Sequence, residues 1–118
     1  DMKKTLIAGL FLVSVLLVSG KEYIRNEDDS VNYFYTKVII ENNKVKMITK
    51  VVNKDDKSKS YIRTLTGEIK GNKIYYNKFQ INQRKERDIP VEISVFSEEK
   101  GKLFIDNNEF KEVIKKWL

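Results

Sequence analysis

Between Val31 and Ile81 the chain keeps a two-residue rhythm, and no other feature of it restricts the possible folds as much. Residues 31–40 crowd together β-branched and aromatic side chains, and Asn42-Asn43 follow with the residue types of a tight turn. Lys44 to Val52 then alternates Val45, Met47, Thr49 and Val51 with Lys44, Lys46, Ile48 and Lys50, which predicts one buried face and one wet face. After a polar break at 53–59 the alternation resumes. Tyr61, Arg63, Leu65, Gly67 and Ile69 oppose Ile62, Thr64, Thr66 and Glu68, two faces that are evenly matched. Gly71-Asn72 has the order of a type II′ hairpin turn, because glycine at the first central position accepts a positive φ. The return strand over 73–81 places Ile74, Tyr76 and Lys78 on one side and Tyr75, Asn77, Phe79 and Ile81 on the other. Four strands joined by short turns predict an antiparallel meander.

Beyond Ile81 the pattern loosens. Residues 82–90 read as a loop that carries the only proline, Pro90, and extended structure restarts over 91–96 with Val91, Ile93 and Val95 expected inward. A turn over 98–102 leads to a short sixth strand, Leu103 to Ile105. The period then changes. Phe110, Val113, Ile114, Trp117 and Leu118 fall on one stripe of a helix, with Lys111, Glu112, Lys115 and Lys116 on its outer side. Asp106 and Glu109 have the spacing of a capping box. The expected fold is therefore α+β: an antiparallel meander of five or six strands with a C-terminal amphipathic helix packed on one face. It would span residues 31–118 as one domain, after a polar lead-in over 21–30.

Residues 1–20 are read as an export signal or signal-anchor. Met2-Lys3-Lys4 precedes a mostly apolar run from Leu6 to Val18, and small residues at Ser19-Gly20 suit a signal peptidase. A helix over that run would reach only about 20 Å, short of the ~30 Å hydrocarbon core. Cleavage after Gly20 is the expectation, and contact with a membrane only through residues 6–18 is the alternative. Val18-Ser19-Gly20 is also lipoprotein-like, but Lys21 stands where the lipid-bearing cysteine would be and the chain has no Cys. The expected location is the periplasm, cell envelope or cell surface of a bacterium.

Composition removes whole classes of chemistry. An exported domain of this size often relies on disulfides, and without Cys packing must hold it. The absence of His removes the commonest general base and zinc ligand. Adjacent carboxylates such as Asp28-Asp29, Asp55-Asp56 and Glu98-Glu99 lack calcium-loop spacing, and Ser60 and Ser94 have no nucleophile elbow. We expect no catalytic residues, no metal and no cofactor. The net charge of +6 favours anionic partners, although signs are interleaved in runs such as Arg84-Lys85-Glu86-Arg87-Asp88.

Two sets of residues are candidate binding elements. Tyr33, Tyr35, Tyr75 and Tyr76 are candidate exposed aromatics, since neighbours in a strand point to opposite faces. Arg84, Lys85 and Arg87 form a candidate binding loop that could meet carboxylates in a partner. The first supports a non-enzymatic envelope or surface protein that binds a protein or an anionic envelope or matrix macromolecule. The second supports a periplasmic inhibitor or immunity-type protein that blocks an enzyme with its basic loop. Export argues against nucleic acid as the partner.

The block Ser60-Tyr61-Ile62, followed by Glu68-Ile69-Lys70-Gly71-Asn72-Lys73-Ile74-Tyr75, resembles the surface-adhesin protein E family of small exported bacterial proteins. In that family a Ser-containing strand leads to a Glu-Ile-x-Cys turn and an aromatic return strand. Gly71 stands here in place of the cysteine, and no second cysteine is present. The resemblance implies an antiparallel sheet backed by a helix and attachment to host matrix proteins, with no adhesive residue transferable position by position.

Overall fold

Each strand of the computed structural model, which describes residues 20–114, pairs with the next in sequence, and the eighth returns to the first. The strands are β1 (Lys21–Asp28), β2 (Asn32–Glu41), β3 (Lys44–Asn53), β4 (Tyr61–Lys70), β5 (Lys73–Ile81), β6 (Arg87–Glu99), β7 (Lys102–Ile105) and β8 (Asn108–Glu112). All neighbours are antiparallel, and the result is a closed eight-stranded barrel. The expected α+β fold is thus overturned: the architecture is all-β. Closure gives the first and last strands partners, which an open meander would leave as bare edges.

The C-terminal helix is replaced by β8. Asp106 and Asn107 both have positive φ (49° and 70°), as a type I′ hairpin turn requires, and they join β7 to β8. Asp106 is therefore a turn residue and not a helix cap: its carboxylate accepts from the Val95 amide at 3.0 Å, and its own amide donates to the Val95 carbonyl at 2.9 Å. Phe110 opposes Leu103 across the ladder and is buried. Val113 stays extended, its amide donating to the Glu22 carbonyl at 2.8 Å. Trp117 and Leu118, the far end of the expected stripe, lie outside the described residues, as do the leader residues 6–18. Among the described residues the only helical turn is a single 3-10 turn, Lys57–Lys59, and no helix is long and apolar enough to cross a membrane.

The stretch 21–30, expected to be a lead-in, contains β1. Tyr23 is its one buried side chain, 2% exposed, and its hydroxyl donates to Glu98 Oε2 at 2.7 Å. That bond spans the seam, because β1 and β8 share only the register pairs Tyr23–Glu112 and Ile24–Lys111. A second correction concerns β6, where Val91, Ile93 and Val95 face outward at 50–58% exposure while Ser94 is buried. Along 92–94 the inward side of β6 is the polar one, and Phe96 beyond it packs against the core.

Irregularities in β4 and β5 reconcile the ambiguous faces seen in the sequence. The register between them shifts at Thr66/Gly67, and that between β5 and β6 shifts at Tyr76/Lys78, leaving Ile89, Pro90 and Val91 opposite Asn77. Ile74 and Tyr76 point inward before the bulge, and Phe79 lines the interior after it. Pro90 sits in the bulge, where a missing amide donor costs no ladder bond. Gly67 is required by close approach: a Cβ there would lie 2.4 Å from the Tyr75 carbonyl oxygen. The Gly71-Asn72 turn has the expected positive φ at Gly71, +63°.

The interior is graded along the barrel. At the end of the β2–β3, β4–β5 and β6–β7 turns an apolar plug forms around Val38, Val45, Ile74, Leu103 and Phe110, with Ile40, Ile69 and Phe96 against it. Each large side chain buried there stabilises the fold by roughly 1.5–3 kcal/mol. Both ends of the described chain leave at this closed end: Gly20 sits against Ile40 and Glu41, and Val113 against Glu22. At the opposite end, under the loops 29–31, 54–60 and 82–86, the inward residues become hydroxylic and then charged. The outer wall of β2 and β3 carries Lys37, Lys46 and Lys50, all exposed.

Three outcomes follow from this packing. Gly67→Ala is expected to lower the free energy of urea unfolding by about 2 kcal/mol or more, because the added methyl meets backbone that cannot swing away. Ile74→Ala should cost about 2–5 kcal/mol, whereas Ile93→Thr should change stability by less than about 0.5 kcal/mol; the reverse order would restore the expected inward face of β6. Burial, with the hydrogen bond to Glu98, raises the Tyr23 pKa far above its ordinary value. Its contribution is therefore complete below about pH 10 and is lost as pH climbs beyond that. Alkaline titration of stability should show a shallower loss in Tyr23→Phe than in the parent.

Candidate binding site at the open end of the barrel

Alternation along each strand decides which side chains reach the interior of the open half. On β2 and β3 the inward positions above the plug are Thr36 and Thr49, whose hydroxyls are hydrogen-bonded at 3.2 Å, one donating to the other. On β4 the same parity that carries Ile69, Gly67 and Leu65 carries Arg63, in register with Thr49 on one side and Ile81 on the other. The bulged start of β6 sets Arg87 opposite Phe79, and its guanidinium lies 5.3 Å from the centroid of that ring. Glu92, in register with Tyr76, faces them from farther along β6.

These residues border two adjoining cavities. One, of about 370 Å³, lies between Met47, Leu65, Phe79 and Ile89 on its apolar sides and Arg63, Arg87 and Glu92 on its polar side. The other, of about 250 Å³, continues past Arg63 and Glu92 to Tyr76, Ser94 and Phe110. The first volume is in the range of small-ligand pockets, and its mixture of apolar wall with a few polar groups is their usual chemistry.

Charge in this space is incompletely paired. Arg25 Nε lies 3.2 Å from Glu27 Oε2, and Arg25 also donates from Nη1 to the Glu109 carbonyl at 3.1 Å, so its guanidinium ties β1 to β8 where the ladder has stopped. Among the described residues, no ion pair or hydrogen bond forms at the side chains of Arg63 and Glu92, and Arg87 has only the Phe79 ring. Deeper in, the Tyr76 hydroxyl is buried and forms no hydrogen bond among the described residues. Burial raises its pKa, while the Ser94 hydroxyl beside it acts in the opposite direction. The exposed guanidiniums of Arg63 and Arg87 thus border the cavity without carboxylate partners, and the buried Tyr76 phenol lies farther in.

The candidate loop is divided by this geometry. All three are exposed, but only Arg87, which opens β6, lines the cavity, while Arg84 and Lys85 lie on the rim above it. The rim is tied down: Gln80 Nε2 donates to the Arg84 carbonyl at 2.8 Å, and Asn82 exchanges bonds with Ile62 through its amide (2.6 Å) and its side-chain oxygen (2.9 Å). An ion pair between Lys78 and Asp88 fastens β5 to β6 below it and raises the Lys78 pKa.

The four candidate tyrosines separate as well. Tyr33 and Tyr35 are exposed side by side on the outer wall, with ring centroids 6.2 Å apart. Tyr75 is half-buried, with Lys70 Nζ 5.5 Å from its ring centroid, and Tyr76 is in the interior, 3% exposed, which corrects its expected exposure. Arg63 and Glu92 were not singled out from sequence. The available signal was parity: Arg63 shares a face with Leu65 and Ile69, at the end of that face where the strand becomes exposed.

Compared with family models, curated proteins and solved structures, the chain matches none. The block that resembles the surface-adhesin family forms the β4–β5 hairpin.

Proposed function

We propose that this protein is an exported, non-catalytic binding protein whose open barrel end holds a small amphipathic anion, with the acidic head at Arg63 and Arg87 and the apolar body against Leu65, Phe79 and Met47. The observation that carries the reading is the pair of guanidiniums without carboxylate partners at the mouth of an apolar-walled cavity. A carboxylate or phosphate accepts two parallel hydrogen bonds from a guanidinium, and partial exclusion of water strengthens them. Arg84 and Lys85 on the rim add attraction at longer range and affect arrival more than residence.

Export is supported by residues 1–20 and is compatible with the way the chain enters the barrel. Gly20 lies at the closed end, so cleavage before Lys21 leaves β1 intact, and an uncut leader would tether the barrel with its mouth directed away from the membrane. The absence of His and Cys from the chain supports holding over turnover.

A dansylated medium-chain fatty acid is a suitable probe. Its fluorescence should rise on binding and be reversed by decanoate at least tenfold more effectively than by decanol. Arg63→Gln and Arg87→Gln should each weaken binding about tenfold, the cost of one charge-assisted hydrogen bond, while Arg84→Gln stays within about twofold. Equal competition by acid and alcohol, or indifference to both inner arginines, contradicts the proposal.

A further inference from the structure

The outer wall of the β2–β3 hairpin carries a second constellation that the lumen does not use. Tyr33 and Tyr35 alternate outward on β2, at 42% and 43% exposure, where packing asks for no aromatic side chain. Their rings are inclined by only 28° and lie next to each other along the strand, so they make one shallow platform. The register sets Lys50 beside Tyr35 and Val52 beside Tyr33. Lys54 extends over Tyr33, with Nζ 4.9 Å from the ring centroid and 2.6 Å from Asp28 Oδ2. Lys57 arrives from the 3-10 turn to complete the border of an open groove of about 770 Å³. Asp56 fixes that turn, its carboxylate accepting from the Ser58 amide at 3.0 Å and the Ser58 hydroxyl at 2.6 Å. Lys50 and Lys57 form no ion pair among the described residues, so the groove presents two free cations beside two aromatic faces.

We infer that this groove binds an acidic polysaccharide. The C–H bonds on one face of a pyranose ring carry slight positive charge and pack against the negative face of an aromatic ring. Carboxylates on the same polymer would pair with Lys50 and Lys57. The choice of polymer follows from the ratio of charge to stacking surface. A single-stranded nucleic acid also stacks on tyrosine, but it carries a phosphate on every nucleotide and draws its affinity from a larger number of cations. Two free lysines beside two rings match a chain of sparser charge. The site is on the opposite side of the wall from the cavity, so it stands or falls separately from the lumenal ligand, although its setting outside the cell rests on the export reading.

Affinity electrophoresis with three probes tests the assignment: hyaluronan, which carries one carboxylate for every two sugars, the neutral polymer dextran, and an oligothymidylate. Hyaluronan should retard the protein, and dextran should not. The double variant Tyr33→Ala/Tyr35→Ala should weaken retardation tenfold or more, Tyr33→Phe/Tyr35→Phe should keep most of it, and Lys50→Gln/Lys57→Gln should weaken it and reduce its salt dependence. All these side chains are exposed, so the variants should retain the parent's binding of the dansylated fatty acid. If the alanine double variant binds as the parent does, attraction is by charge alone and the proposal is wrong. Tighter binding of the oligothymidylate than of hyaluronan, or equal retardation by dextran, also overturns it.

Discussion

Closure of the sheet is the constraint on which the rest of this structure depends. A chain without disulfides gains its core here by wrapping the sheet around itself. One set of side chains then faces another across a lumen, with no second layer to cover them. The seam that achieves this is short. Two register pairs join β1 to β8, and around them stand the Tyr23–Glu98 hydrogen bond, the Val113 amide on the Glu22 carbonyl, and the Arg25 guanidinium on the Glu109 carbonyl. Side chains and turn residues thus extend a ladder that the backbone alone begins.

Closure also explains why the two ends differ. Starting at Tyr23 and stepping across the register through Val38, Met47, Leu65 and Phe79 leads to Arg87 at the start of β6, whereas the path through Glu112 approaches Gly101 at its far end. Strands so strongly staggered are tilted and enclose a wide interior. The apolar supply is enough to fill one half of it, around Val38, Ile74 and Leu103. In the other half hydroxyls and charges take the inward positions, and the space between them remains open. The candidate binding site is thus the part of the interior that the core does not fill.

The meander of β2 to β5 was legible in the sequence because clean alternation and short turns are local signals. The failures at β1 and β6 share one physical cause: strand patterns were read as though the inward face must be the apolar one. In β1 the inward positions include Tyr23 and Arg25, so the strand resembled a polar leader. In β6 the apolar residues Val91, Ile93 and Val95 are outside and the lumen receives Glu92 and Ser94, so parity was reversed. The terminal stripe was compatible with a helix, but Asp106-Asn107 adopt the positive φ of a hairpin turn, and pairing with β7 and β1 outweighed a local helical period. The site suffered the same way. Arg87 was visible as part of a basic run, whereas Arg63 acquires meaning only when β4 is known to turn that face inward.

The closed barrel is tested most directly by NMR contacts across the seam. Cross-strand nuclear Overhauser effects between Tyr23 and Glu112 and between Ile24 and Lys111, with the Val113 amide protected from exchange, are the result this structure predicts. Strong sequential amide–amide effects through residues 108–114 in place of any contact between residues 21–24 and 111–113 would show a helix on an open sheet, and would remove the lumen and the binding site with it.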